Sequence, residues 1–280
     1  MAPVAQLLAP RNELPLIFHG VFAALVREVE TLRQRDQVQR DALQRLQGQL
    51  RSAAELQRDL LPSRLPTIEG LKVHTLYRPA EMVSGDLYNV VRLDDRHVAF
   101  TLADATGHGL PAGMLSALTR RSLFAENRSL LPDRVLAAAN GDVLKLGLSE
   151  CQFLGALYAV FDERTRTLSW ARGGLPYPIL ARTGQAPRQI PSNGPALGTI
   201  ENASFEVVTM ALQPGDCVVF HTDGVDALLA ERPGDDVRNT EWFSGLGRNA
   251  LECQLEALNA RFGSGTPDID DVTVIALQAA

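Results

Sequence analysis

The composition of the chain changes abruptly at Pro62, and this change separates two kinds of structure. Residues 20–60 are rich in Gln, Arg, Glu, Leu and Ala and contain no proline, whereas alternating and continuous apolar runs dominate beyond Pro62. Because proline cannot continue a helix, a helix in the first segment is predicted to end there. The predicted organisation is an irregular lead-in at 1–19, a linker helix at 20–61 and a folded domain at 62–280.

A heptad pattern runs through the linker helix. With Val29 at position a, eight of the eleven a and d positions are apolar, and Asp36 and Gln39 interrupt the middle of the seam. Such a seam is typical of a coiled coil, in which a polar position weakens pairing and helps to set the register. We therefore predict a homodimer through this helix. A single amphipathic helix lying on its own domain is the alternative.

The bulk composition limits the class of partner. A net charge of −6 and an isoelectric point near 5.4 disfavour nucleic acid, which needs a basic surface. Cys151, Cys217 and Cys253 are isolated and odd in number, which disfavours a zinc site or a disulfide framework. Neither a signal peptide nor an apolar run of membrane-spanning length is recognisable. We expect a cytoplasmic protein that does not enter a membrane.

Beyond Pro62, predicted strands come in hairpins and predicted helices come in pairs. This order favours an α+β fold with antiparallel sheets covered by helices, rather than a doubly wound parallel sheet. The turns at Asp94-Asp95 and at 162–165 are the hairpin signals. Strands are predicted at 71–77, 87–93, 97–103, 153–161, 167–171, 177–182, 205–212, 217–221 and 272–277, and helices at 111–127, 133–148 and 241–262.

Aspartates follow or precede several of these strands, beside glycine or a second aspartate. They are Asp86, Asp104, Asp223 and the pair Asp270-Asp271. Strand ends bring side chains to a common edge, and carboxylates gathered there repel one another unless a cation lies among them. Mg²⁺ and Mn²⁺ prefer such oxygen ligands. Any one of these aspartates alone would be read as ordinary turn chemistry, so the prediction depends on the whole ordered set.

That ordered set of motifs resembles the metal-dependent, PP2C-like protein phosphatases. The resemblance is to their bacterial stress-response and sporulation branch, which acts on anti-sigma-factor antagonists, and it covers about residues 55–278. The motifs that carry it are Leu60-Leu61-Pro62, Tyr77-Arg78-Pro79-Ala80, Ser84-Gly85-Asp86-Leu87-Tyr88, Ala103-Asp104-Ala105-Thr106-Gly107-His108-Gly109, Pro214-Gly215-Asp216, His221-Thr222-Asp223-Gly224-Val225 and Asp270-Asp271-Val272-Thr273-Val274.

The resemblance implies two stacked antiparallel sheets flanked by helices, with two Mn²⁺ or Mg²⁺ ions at one end. Two such ions would activate a water for in-line attack on phosphoserine or phosphothreonine of a signalling partner. In the implied site, Asp104 bridges both ions, the Ala105 carbonyl binds one, Asp223 and Asp270 complete the inner ligands, and Asp86 lies beside them or binds through water.

Three further residues are possible accessories. His108 is read either as a proton donor to the leaving oxygen or as a structural residue at a helix start. Arg78 is read either as a contact to substrate phosphate or as the partner of a surface acid. Asp271 accompanies Asp270.

The chain departs from the family pattern at two positions near these motifs. Asn89 replaces a usual aspartate, and Leu175 replaces a usual histidine. Neither change removes a predicted inner ligand, so activity is expected, although lowered activity remains open. The alternative is a degenerate phosphatase that binds and sequesters a partner. We also expect residues 56–61 to transmit a signal from the linker helix to the metal site.

Overall fold

The computed structural model describes residues 14–125, 129–148, 152–230, 238, 240–246, 250–262 and 270–280. The chain divides into two compact units, residues 1–52 and residues 53–280. None of the helices in the described ranges has the length and apolarity that crossing a membrane requires.

The first unit consists of most of a long helix, α1 (Leu14–Leu60). The helix begins within the predicted irregular lead-in, six residues before the predicted start at residue 20. Pro15 permits this because it falls in the first turn, where the missing N–H has no helical partner to lose. Within the first unit the heptad positions Leu25, Leu32, Leu43 and Leu46 are all exposed.

The second unit contains two five-stranded sheets in which every neighbouring pair of strands is antiparallel. The first sheet contains, in spatial order, β1 (Leu71–Arg78), β10 (Val272–Ala279), β9 (Cys217–His221), β6 (Ile179–Ala181) and β7 (Arg188–Gln189). The second contains β2 (Asp86–Arg92), β3 (His97–Ala105), β4 (Leu154–Asp162), β5 (Thr167–Gly173) and β8 (Val208–Ala211).

Helices cover the outer face of each sheet. α2 (Gly109–Arg120), the π-helical turn Arg121–Ala125 and α3 (Pro132–Lys145) pack on the second sheet through one apolar cluster. α4 (Gly224–Leu229), α5 (Glu241–Gly245) and α6 (Leu251–Phe262) pack on the first sheet through another. A third cluster fills the space between the sheets, where the rings of Trp170 and Phe220 lie 6.2 Å apart.

Alternation along β3 shows how one strand serves two of these clusters. Val98, Phe100 and Leu102 face the other sheet, whereas Ala99 and Ala103 face the helices. Successive side chains of a strand point to opposite faces, so a strand buried on both sides is apolar at most of its positions. The predicted α+β fold, with two antiparallel sheets flanked by helices and a long helix before them, is confirmed.

The single helix predicted at 241–262 is wrong. α5 begins at the cap Thr240, whose side chain accepts a hydrogen bond from Phe243 N at 3.2 Å, and it ends at Gly245. Glycine is a poor helix former, and the next residue, Leu246, has an extended backbone and a buried side chain. The sequence analysis also missed α4 and β7, and the end of the predicted helix at 111–127 lies partly outside the described residues.

Candidate metal centre

The centre begins with two aspartates that face each other across a strand pair. Asp86 opens β2, Asp104 lies one residue from the end of β3, and the ladder pairs them directly. Directly opposed residues of an antiparallel pair have Cβ atoms about 5 Å apart, and like charges in this position repel. The register of the hairpin therefore imposes the first close contact between predicted ligands.

Asp86 also connects the two sheets. Its Oδ2 accepts hydrogen bonds from Thr222 Oγ1 at 2.9 Å and from Thr273 Oγ1 at 2.6 Å, so residues of β10 and of the turn after β9 hold it from the opposite sheet. The side chain is fully buried, and its Oδ1 has no hydrogen-bond partner in the described part of the chain. A buried carboxylate oxygen without a partner is costly, which marks this atom as a place for a cation or a water.

Asp223 and Asp270 reach the same place from the first sheet. Asp223 follows β9 and precedes α4, and its carboxyl group shares a hydrogen bond with that of Asp104. Asp270 lies just before β10, and its Oδ1 accepts the amide of Asp271 at 2.8 Å. Gly224 allows this approach, since a Cβ there would lie 2.1 Å from the Asp271 carbonyl oxygen. The structure thus brings all four predicted aspartates into one cluster.

Burial and mutual repulsion raise the pKa values of three of these aspartates, Asp86, Asp104 and Asp223. The pKa of Asp104 rises to about 8 because the carboxyl is buried and lies close to Asp223 and Asp270. Burial, followed by the charge of Asp104, also raises the pKa of Asp86 well above its ordinary value. The pKa of Asp223 rises through burial and the nearby Asp270. These three carboxyl groups therefore hold protons to a higher pH than exposed aspartates do.

Asp271 has a different role from Asp270. Its Oδ1 accepts the amide of Ala80 at 2.7 Å and its Oδ2 accepts the amide of Gly85 at 2.6 Å. Both oxygens therefore anchor the loop that leads into Asp86. Ala105, whose carbonyl is a predicted ligand, donates its amide to Gly85 O at 3.2 Å, and its carbonyl oxygen lies 2.9 Å from where a Cβ on Gly85 would be. Glycine at position 85 leaves this carbonyl unobstructed.

The donor set fits a hard divalent cation. It consists of carboxylate and carbonyl oxygens, which Mg²⁺ and Mn²⁺ prefer, and it includes the unpartnered Oδ1 of Asp86. No three described His, Cys, Asp or Glu side chains already form a metal-coordinating group. Asp104 and Asp223 are instead hydrogen-bonded to each other, and burial raises the pKa of both, so a cation that binds here competes with protonation.

The two basic accessory candidates have different partners. His108 caps α2 and places its Nδ1 2.5 Å from Oε1 of Glu81, with its side chain 70% exposed. Arg78, at the end of β1, donates from its Nε to Oδ1 of Asn259 on α6, so the partner found for it among the described residues is an amide and not a surface acid.

Gln57 was missed by the sequence analysis, which counted it as a polar residue of the heptad seam. Its side chain is buried, its Nε2 donates to Ser84 O at 2.6 Å, and its Oε1 accepts from Ser84 N at 2.9 Å. The last turn of α1 is therefore hydrogen-bonded to the main chain two residues before Asp86. The available signal was a heptad position just before Pro62, where the helix must meet the domain.

The two departures from the family pattern lie beside the centre and not in it. Asn89 is on β2, three residues past Asp86, and its Oδ1 accepts the amide of Val90 at 3.0 Å. Leu175 is buried in the core between the sheets and packs against Gly155, the residue that pairs with Asp104 on β4. Leu175 therefore fills space behind the strand that presents Asp104.

A comparison with known families agrees with this geometry. The family described as Stage II sporulation protein E (SpoIIE) matches residues 94–280, about two thirds of the chain. The chain belongs to the SpoIIE family. The predicted resemblance to PP2C-type phosphatases of the sporulation and stress branch is confirmed.

Relatives of known sequence and structure support the same assignment. Protein IcfG of Synechocystis is 25% identical over 261 residues, covering 82% of this chain and 38% of IcfG. Phosphoserine phosphatase RsbU of Bacillus subtilis is 24% identical over 200 residues, covering 71% of this chain and 59% of RsbU. The chain thus matches less than two thirds of the length of either relative.

Solved structures show the shared fold. The SiaA-PP2C domain of Pseudomonas aeruginosa superposes with a TM-score of 0.72 at 21% identity, covering 85% of this chain and 99% of that domain. The catalytic domain of the serine/threonine phosphatase PstP, solved with two manganese ions, superposes with a TM-score of 0.55 at 17% identity and covers 75% of this chain and 98% of that one.

Proposed function

We propose that this SpoIIE-family chain hydrolyses phosphoserine or phosphothreonine on a partner protein in a reaction that depends on Mn²⁺ or Mg²⁺. The observation that carries the proposal is the convergence of Asp86, Asp104, Asp223 and Asp270 from both sheets, with a buried carboxylate oxygen left unpartnered. The name of RsbU as a phosphoserine phosphatase supports the substrate class.

The role that we propose for each ligand follows from its position in the fold. Asp104 faces both Asp86 and Asp223 and would be shared between two bound ions, while Asp223 and Asp270 approach from the first sheet. Asp86 and the Ala105 carbonyl complete the oxygen set. When bound, two divalent ions would supply positive charge that activates water and neutralises the phosphoryl oxygens. The two manganese ions solved with PstP support a pair of ions, but the ligand roles here are our proposal.

The protein residues hold this arrangement without needing a nucleophilic side chain. Thr222 and Thr273 fix the Asp86 carboxylate, and Asp271 fixes the loop before it through the amides of Ala80 and Gly85. Each hydrogen bond to a charged group is worth about 1.5–3 kcal/mol, enough to keep a carboxylate in one orientation. We expect the substrate to be an anti-sigma-factor antagonist, as the resemblance implies, and the reaction to occur in the cytoplasm.

A phosphatase assay tests the proposal. The full chain, freed of metal and supplied with Mn²⁺, should release phosphate from p-nitrophenyl phosphate and from a phosphoserine peptide. Asp104→Asn should lower both rates at least about 10³-fold, because the bridging charge is lost. Asp95→Asn, at the exposed turn between β2 and β3, is the matched control and should retain full activity. Equal activity of Asp104→Asn and the wild type would refute the proposal.

Homodimerisation through α1 is a second part of the proposal. The exposed apolar heptad residues Leu25, Leu32, Leu43 and Leu46 are the observation that supports it. Removing residues 1–55 should convert a dimer to a monomer in sedimentation and should change metal affinity or activity. A full chain that sediments as a monomer at tens of micromolar would contradict the proposed dimer.

A further inference from the structure

A groove with a volume of about 490 Å³ lies at the edge of the first sheet, and none of the four clustered aspartates lines it. Its walls come from the residues before β6, from β7 and the segments on either side of it, and from the region of α5. They include Tyr177, Pro187, Arg188, Pro191, Arg238 and Phe243. None of the described residues that line the groove is an aspartate or a glutamate. In a chain with a net charge of −6, the groove thus combines positive charge with an aromatic ring.

Arg188 supplies one of the two positive charges of the groove. It lies on β7, the last strand of the first sheet, and pairs through its main chain with Leu180 of β6. Its side chain is exposed and forms no ion pair with a described acid, whereas Arg92 and Arg96 each bind an acid across their hairpins. An arginine presents several N–H donors in a planar fork that fits a carboxylate or a phosphate. Arg188 therefore offers these donors to solvent or to a partner.

A buried arginine lies behind the aromatic ring of the groove. The guanidinium carbon of Arg172 is 4.2 Å from the ring centroid of Tyr177. Its Nη1 and Nη2 donate to the carbonyl oxygens of Leu175 and Ser192. Arg172 is 9% exposed, and within the described part of the chain its Nε has no hydrogen-bond partner and no acid forms an ion pair with it. A buried cation without a counter-ion is costly, so the wall formed by Tyr177 favours an anion in the groove.

The groove begins at the same end of the first sheet as the proposed metal centre. β6 is antiparallel to β9, with Ile179 opposite Val219, and continuing this register places Tyr177 level with His221, two residues before Asp223. Neighbouring strands lie about 4.8 Å apart, so β7 is roughly 10 Å to the side of β9. An extended chain advances about 3.3 Å per residue. A peptide residue in the groove would therefore be roughly three to five positions from a phosphoserine at the metal centre.

We propose that this groove binds an acidic segment of the phosphoprotein substrate, roughly three to five residues from the phosphoserine. Carboxylates of that segment contact Arg188 and Arg238, and its main chain packs against the ring of Tyr177. The inference rests on the phosphatase function proposed above and names the kind of sequence that the enzyme selects. Because no proposed metal ligand lines the groove, it contributes to substrate binding and not to the chemical step.

Two phosphoserine peptides of equal length test the groove with the full chain and Mn²⁺. One peptide carries glutamates three to five residues from the phosphoserine on both sides, and the other carries glutamines at the same positions. The wild type should have a KM about 10-fold lower for the glutamate peptide, with the same kcat for both. Arg188→Gln should raise the KM for the glutamate peptide about 5-fold without changing its kcat. The same variant should cleave the glutamine peptide and p-nitrophenyl phosphate as the wild type does.

Two further variants and a salt series separate charge recognition from a structural effect. Arg164→Gln is the matched control, because Arg164 is an exposed arginine in the turn between β4 and β5, and it should leave the preference for glutamate unchanged. Arg188→Lys keeps the charge and should retain part of that preference. Raising the salt concentration from about 50 to 300 mM should weaken the preference of the wild type and have little effect on Arg188→Gln. A residue that only supported β7 would change the KM for both peptides alike.

The outcomes distinguish the inference from the function on which it rests. An active wild type with the same KM for both peptides, or an Arg188→Gln variant that keeps the full preference, overturns the groove and leaves the phosphatase proposal standing. A wild type that cleaves none of the three substrates with Mn²⁺ or Mg²⁺ overturns the phosphatase proposal. Fluorescence anisotropy of the labelled glutamate peptide then tests the groove by itself. Binding that Arg188→Gln weakens supports recognition of an acidic partner, and absence of binding overturns it.

Discussion

The two ends of the β2–β3–β4 ladder carry carboxylates in opposite electrostatic settings. At the arginine end, Arg96 Nε donates to Asp162 Oδ1 at 2.6 Å and Arg92 binds Glu163, and these cations lower the pKa values of both acids. At the aspartate end, the cluster of Asp86, Asp104, Asp223 and Asp270, no described lysine or arginine forms an ion pair with an aspartate. The strands are shared, so only the local partners differ.

The comparison shows where the fold neutralises its own charges and where it does not. Structural carboxylates are paired within the chain, which keeps them ionised at low pH. At the aspartate end, burial raises the pKa values of Asp86, Asp104 and Asp223, and this uncompensated burial opposes stability when no cation is bound. We interpret that lack of compensation as the physical signature of the proposed metal centre.

The largest expected effect comes from neutralising one carboxylate at the aspartate end. Asp86→Asn should lower Mn²⁺-dependent activity at least about 100-fold, because the buried charge that attracts the cation is lost. The same variant should melt a few degrees higher than the wild type at pH 8 without metal, since Asn still accepts from Thr222 and Thr273. Activity assays and calorimetric melting in EDTA measure the two effects.

The control for Asp86→Asn is Asp216→Asn. Asp216 is equally buried but accepts from Arg182 Nε at 3.2 Å and from Gln213 N at 3.0 Å. Its replacement should lower the melting temperature and leave the activity unchanged. If both variants were destabilised alike, the proposed difference between paired and unpaired carboxylates would be wrong.

Melting temperatures measured over a pH series without metal test the difference between paired and unpaired carboxylates in the wild type. The folded chain keeps protons on Asp104 up to about pH 8, whereas an unfolded aspartate releases them near its ordinary pKa of 3.8. Above the ordinary pKa the folded state therefore binds more protons than the unfolded state, and stability falls as the pH rises from 5 to 8. We expect a drop in melting temperature of roughly 5–10 °C across this range in EDTA.

Manganese provides the internal control for the pH series. Saturating Mn²⁺ stabilises only the folded state and should abolish most of the drop at pH 8. The acids of the arginine end have lowered pKa values and lose their stabilising charge only on acidification, well below pH 5. A melting temperature that does not change from pH 5 to 8 without metal would contradict the raised pKa of Asp104.

The fold was largely predictable because its strands are bounded by turn signals and are apolar on both faces. β3, β4 and the hairpins at Asp94-Asp95 and 162–165 follow directly from that pattern. β7 has only two residues, and α4 is a six-residue helix that depends on burial of Val225, so neither leaves a periodic signal. The break after α5 was missed because Gly245, at which α5 ends, is a single glycine within an otherwise helical pattern.

The aspartates of the candidate site were predictable from the sequence, but the hydrogen bonds that position them were less so. The aspartates stand out because each follows or precedes an apolar strand. Asp271 anchors the loop before Asp86, whereas Asp270 is a proposed ligand. This difference depends on which carboxylate reaches the amides of Ala80 and Gly85, about 190 residues away in sequence. Gln57 likewise acts through a contact 27 residues distant, which heptad spacing cannot reveal.

A smaller effect on metal binding is expected from removing the hydrogen bonds between Gln57 of α1 and Ser84. Gln57→Leu leaves the amide and carbonyl of Ser84 without their buried partner, at a cost of about 1–3 kcal/mol for an unsatisfied group. Because Ser84 leads into Asp86, we expect Mn²⁺ affinity to fall by about 5–10-fold. Calorimetry measures this affinity, and Gln47→Leu, at an exposed position on α1, is the matched control.

The smallest effect is expected at the arginine end. Arg96→Gln removes a partner of Asp162 but touches none of the proposed ligands, so kcat/KM should change less than about 2-fold. The melting temperature should fall by no more than about 2 °C, because the pair is partly exposed to solvent. A loss of activity comparable to that of Asp86→Asn would show that the two ends are not independent.

Titration of Mn²⁺ into the metal-free full chain, followed by calorimetry in buffers of different ionisation enthalpy, tests the central claim most directly. We predict saturable binding with a stoichiometry of two, release of protons that the buffer reveals near pH 7, and loss of this binding in Asp104→Asn. Absence of Mn²⁺ and Mg²⁺ binding by the wild type would contradict the metal centre. If a phosphoprotein partner were still bound tightly, the result would favour the partner-sequestering alternative.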